Sequence, residues 1–178
     1  MTKEEIILSA ENVFSEFSGT CNKFDDAAFF LKPGPKWSVA ENLQHLILSI
    51  KMTNLAYRLP LFLVRWIGGK QDREALNFDG LLAAYHTKLS TGATASRRFV
   101  PKPIKINYGK EKLLDNWKKV TEQFIAAVKS NRSEKDLDDY YAKHPLLGRI
   151  SLRELCYFTI FHTDHHTQSL IKNSGIPQ

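Results

Sequence analysis

The chain has 178 residues, 43% of them apolar and 25% charged, with a net charge of +6. That balance suits one domain with a single sizeable core, filling residues 1–178. The most apolar run, residues 59–67, is interrupted by Pro60 and Arg65 and falls far below the ~20 residues that span a bilayer, which excludes a membrane protein of the helical kind.

The positive charge raises the question of nucleic acid. The basic residues are scattered, however. Their nearest cluster is Arg97, Arg98, Lys102, Lys105 and Lys110, diluted by Pro101 and Pro103. No helix combines a basic face with stacking aromatics, so nucleic acid is not the expected partner. The charge instead favours an anionic substrate without naming one. The start of the sequence shows no charged-then-apolar leader, and Cys21 and Cys156 form no zinc or redox motif. The expectation is a cytoplasmic protein with two reduced thiols.

Three helix starts share one signature, a Ser or Thr followed three residues later by Glu: Thr2 and Glu5, Ser38 and Glu41, Ser151 and Glu154. In this capping box the hydroxyl accepts the third helical N–H while the carboxylate accepts the N–H of the cap residue. The first helix is expected over residues 3–17, with Ile6, Ala10, Val13, Phe14 and Phe17 on one stripe and Gly19 as its end. A helical turn follows near residues 25–31, and Lys32-Pro33-Gly34-Pro35 is a break, since proline cannot continue a helix. The second long helix spans about residues 38–58, with Val39, Leu43, Leu46, Ile47 and Ile50 inward. Pro60 kinks or ends it, and Gly68-Gly69 is the next firm stop.

Between Gly68 and Asn107 the periodicity weakens. Leu81, Leu82, Tyr85 and Leu89 allow a short helix over residues 78–89, and residues 91–103 read as an extended crossover. The third long helix covers about residues 110–129. Leu113, Trp117, Val120, Phe124 and Ala127 repeat at steps of four and three, and Asn131-Arg132-Ser133 ends the pattern. Pro145 and Gly148 mark a turn before the last helix, which begins at Ser151. No strand pattern competes. The expected fold is all-α: a four-helix bundle with a long crossover between the second and third long helices.

The chemistry concentrates in the last helix. His162 and His166 stand four apart, a spacing that stacks two side chains on one helix face. Two imidazoles so placed can grip one metal ion, at about 2.0–2.1 Å for zinc. A third ligand must come from elsewhere, and the candidate is His45 on the second long helix. Alone, His45 reads as a core or interface histidine; the distant pair strengthens the ligand reading. Three neutral nitrogens leave a fourth position open for water or a thiol. Imidazole suits zinc, nickel, iron or copper, and ligand type alone does not choose among them; the expectation is zinc or nickel.

His165, three residues after His162, is an alternative ligand, though its direction on the helix favours the flank or solvent. Gln168 and Glu41 are candidate partners for the outer ring nitrogens. Asp164 reads as a surface charge, and His86 and His144, in or beside loops, read as surface histidines.

Trp37-Ser38-Val39-Ala40-Glu41-Asn42-Leu43-Gln44-His45-Leu46 resembles a W-S-x-x-E-x-x-x-H-L segment of the DinB/YfiT-like superfamily. His144-Pro145-Leu146-Leu147-Gly148-Arg149 and the Ser151–Leu155 stretch are similar to that family's approach to its last helix. His162 to Gln168 resembles its H-x-x-x-H-x-x-Q ending, with Gln one position early, and Phe99-Val100-Pro101 resembles a recurring crossover element. The resemblance spans nearly the whole chain. It implies a four-helix bundle, often a homodimer, holding a divalent metal through His45, His162 and His166. It also implies one of two activities on a small-molecule substrate: transfer or isomerisation dependent on a low-molecular-weight thiol, or metal-dependent hydrolysis. The competing expectation is a non-catalytic metal-binding or dimerisation bundle in a stress-related role.

Overall fold

All three capping boxes form, and each starts a long helix. In a computed structural model, which describes residues 1–70 and 72–174, Thr2 caps α1 (Lys3–Asn22) and Ser38 caps α3 (Val39–Arg58). Ser151 caps α8 (Leu152–Ser174), accepting the Glu154 N–H at 3.1 Å while Glu154 Oε2 accepts the Ser151 N–H at 2.7 Å. Ser38 is buried, so its hydroxyl has no water to turn to. Ser38→Ala is expected to cost about 1 kcal/mol, lowering Tm by roughly 2–4 °C in a thermal melt.

The third long helix, α6 (Lys110–Asn131), buries its whole expected stripe: Leu113, Trp117, Val120, Phe124 and Ala127. The Trp117 ring lies edge-on to Phe14 at 5.4 Å and tilted against Phe17 at 5.0 Å, tying α6 to α1. Its indole N–H donates to Ser18 at 2.9 Å. In addition to that contact, α1 packs on α8, and α3 packs on both α6 and α8. The pairing of α3 with α8 positions the site, because these helices carry the three histidines.

Shorter elements fill the connections: α2 (Asp26–Phe30), α4 (Leu61–Gly68), α5 (Phe78–Ser90), a 3-10 turn (Ile106–Tyr108) and α7 (Glu134–Asp139). Pro60 ends α3 and starts α4, whose axis turns by 119°. Gln71, in the weakly periodic stretch between Gly68 and Asn107, lies outside the described residues. Residues 91–105 run without a regular element, as a crossover segment should.

Two expectations are corrected. The first helix does not stop at Gly19 but continues to Asn22, because Thr20 and Cys21 add buried contacts that outweigh the flexibility of one glycine. A strand pair also exists where none was expected. Here β1 (Tyr141–His144) pairs antiparallel with β2 (Gly148–Ser151), in the register Tyr141 to Ser151 and His144 to Gly148. Gly148 supplies the left-handed backbone of the turn, with φ +74°. Four-residue strands are too short for alternation to stand out in sequence. The chain is thus mostly helical with one small two-stranded sheet. Among the described residues no single helix is long and apolar enough to cross a membrane.

Candidate metal centre

His45 comes from the second turn of α3, and His162 and His166 from successive turns of α8. All three are buried, at 4%, 6% and 8% exposure. One ring nitrogen from each lies within 4.8 Å of the others. Aromatic rings wall the cluster. Trp37 lies parallel to His166 at 6.3 Å and tilted on His45 at 5.0 Å, and Phe158 stacks on His162 at 4.6 Å.

Hydrogen bonds assign two of the tautomers. His45 Nδ1 lies 2.7 Å from the Phe99 carbonyl, an acceptor only, so Nδ1 carries the proton and Nε2 a lone pair. His166 Nδ1 lies 2.7 Å from Asn42 Oδ1. The Asn42 amide is oriented by its own NH2, which donates to the carbonyls of Trp37 and Ser38 at 3.2 and 2.8 Å. His166 therefore also donates through Nδ1 and keeps its Nε2 lone pair free. His45 Nε2 faces His162 Nε2 at 3.1 Å. Two nitrogen lone pairs repel at that distance, so the approach requires a proton or a cation between them.

These donors fit a divalent ion. Two nitrogens each about 2.0–2.1 Å from a tetrahedral zinc stand about 3.4 Å apart, close to the 3.1 Å of the His45–His162 pair. Burial pushes the His45, His162 and His166 imidazoles below their usual range, and neighbouring histidines add to the effect. Neutral rings are the form that binds metal.

The cluster forms part of the wall of a cavity of about 860 Å³. Much of the remaining lining is apolar, including Met52, Leu55, Leu59, Val64 and Leu155. His165 lines the cavity half-buried but stands outside the three-nitrogen group. His86 is exposed, as expected.

Three sequence expectations need correction. His144 is not a surface histidine. The hairpin folds it onto Phe158, 4.2 Å between ring centres, and into the cavity wall. Its Nδ1 accepts N–H bonds from Leu146 and Leu147 at 3.3 and 3.1 Å, so its proton sits on Nε2. Burial pushes its pKa down to about 4. Glu41 is no partner of the cluster, because its carboxylate is committed to the Ser38 cap and to Lys32 at 3.0 Å. Gln168 is exposed and bonds Asp164. The outer ring nitrogens are held instead by Asn42 and by the backbone of Phe99. Helical spacing could have pointed to Asn42, three residues before His45; a carbonyl leaves no mark in sequence.

The thiols take no part in this centre. Cys21 and Cys156 are buried and unpaired, and burial raises both to about 12. Thiols so far above neutrality are poor nucleophiles.

No curated protein and no solved structure matches the chain. The family model for the DinB superfamily matches residues 10–170, and the chain belongs to that superfamily.

Proposed function

We propose that the protein is a metal-dependent enzyme in which His45, His162 and His166 hold a divalent cation, zinc or nickel, facing a small-molecule substrate in the adjoining cavity. The observation that carries this reading is the 3.1 Å approach of the His45 and His162 Nε2 atoms, with His45 held as a lone-pair donor by Phe99. In this reading the four long helices form a four-helix bundle, and the chain works as a homodimer away from nucleic acid and membranes.

A cation bound there supplies Lewis acidity, which polarises a substrate carbonyl or makes a water or a low-molecular-weight thiol more acidic. The protein's own groups do the rest. Phe99 and Asn42 hold two imidazoles in the ligating tautomer. Trp37 and Phe158 exclude water from the rings, which strengthens electrostatic interactions inside. His144, neutral and with its proton on Nε2, is a hydrogen-bond donor in the cavity wall. A metal with a purely structural role would need no cavity beside it. The 860 Å³ space supports an open, catalytic site, transferase or hydrolase in type.

Metal content measured by elemental analysis tests this. The wild-type chain is expected to carry one divalent ion, and His45→Ala and His166→Ala to lose it while keeping their helical circular dichroism. Unchanged metal content in both variants would end the reading. Asn42→Ala removes only the orienting oxygen, and its metal affinity is expected to fall about 10–100-fold in a competition titration.

A further inference from the structure

The cavity beside the three histidines has an uneven charge. None of its lining residues is Asp or Glu, although 19 of the chain's 178 residues are. It does contain Arg97, Arg98 and Lys143. All three are exposed, and among the described residues none of them makes an ion pair. They come from two separate segments, the crossover after α5 and strand β1. Elsewhere on the chain, Arg149 pairs with Asp72, and Arg153 with Glu134 and Asp138. Deeper in, the wall is aliphatic and aromatic, with Leu59, Val64, Leu89, Leu155 and Phe158.

A cavity of about 860 Å³ lies in the upper part of the range for drug-sized ligands and is far larger than a water or an ion needs. An acid-free wall with unpaired cations focuses a positive potential into the opening. We infer that the substrate is a small organic anion, with an apolar body against the Leu59–Leu155 wall and a negatively charged group at Arg97, Arg98 and Lys143. This rests on the reading of the cavity as a substrate site and names the class of molecule it takes.

The test is calorimetric titration of the full chain with three probes that share one alkyl body: octane-1-sulfonate, 1-octanol and octylammonium. Sulfonate is chosen because it is a weak metal ligand. Octane-1-sulfonate is expected to bind on the order of tenfold more tightly than 1-octanol at low salt, with octylammonium weakest. The preference should shrink as ionic strength rises from about 0.01 M to about 1 M, where the screening length falls from about 30 to about 3 Å. The triple variant Arg97→Gln, Arg98→Gln, Lys143→Gln changes only exposed side chains. It is expected to erase the sulfonate preference and leave 1-octanol binding unchanged.

Octylammonium binding as tightly as the sulfonate would overturn the inference, as would a sulfonate preference that survives in the triple variant. Repeating the titration after chelation separates the two readings. A preference that persists without metal assigns the anion to the rim, even if the metal reading fails. A preference that vanishes with the metal overturns the rim assignment.

Discussion

Gly68→Ala is expected to destabilise the protein by about 2–3 kcal/mol, although alanine in place of a helical glycine usually stabilises by roughly 0.5–1 kcal/mol. Gly68 is the last residue of α4, and a Cβ there would lie 1.7 Å from the Tyr141 carbonyl oxygen and 2.6 Å from its carbon. That obstacle is backbone, held in register by β2, so no side chain can swing aside. The helix and the hairpin must move apart. Both Gly68 and Tyr141 also line the cavity, so the wedge would shift the wall that carries Lys143 and His144. Thermal melts should show Tm falling by roughly 5–10 °C. Gly19→Ala is the control: it lies within α1 with nothing within 4 Å of its would-be Cβ, and it should gain up to about 1 kcal/mol. Equal stability of Gly68→Ala and wild type would refute the close approach of α4 to β1.

The second large effect is acid lability. An unfolded chain protonates histidine as pH falls below about 6.5. Folded His144 resists protonation down to about 4, because burial disfavours its charged form. Between those values the unfolded state binds the extra proton, so stability present above pH 6.5 is lost as pH falls towards 4. The loss from His144 alone approaches about 3 kcal/mol. His45, His162 and His166 are depressed for the same first reason and act in the same direction. Urea midpoints measured in chelator from pH 8 to pH 4.5 should fall steadily below neutrality. His144→Phe, which keeps an aromatic ring against Phe158, should flatten the slope. Midpoints that stay level between pH 7 and 5 would show that these rings are not buried neutral.

The helices were legible wherever local chemistry and burial agreed. Ser38 and Ser151 mark their helix starts to the residue, and the Leu113–Ala127 stripe is buried throughout. Gly19 is a false stop, because one weak residue does not end a helix whose next turn still buries Thr20 and Cys21. The hairpin leaves no readable pattern because each strand offers only four residues. At the site, the i, i+4 pair and His45 could be read directly, since each contributes a side chain of the right chemistry. Glu41 was the wrong partner for a reason the sequence already contained: a glutamate three residues after a cap serine is engaged by that cap. His144 looked like a loop residue until the strand pair laid it over Phe158.

The carbonyl that steers His45 belongs to Phe99, the residue directly after Arg97 and Arg98. Whatever settles on those guanidinium groups therefore handles the same few peptide units that aim the imidazole. Reciprocity makes this a two-way bargain: by whatever factor an occupant of the opening changes the hold on an ion further in, the ion changes the hold on that occupant equally. Loading order would then alter the route and leave the final energy unchanged.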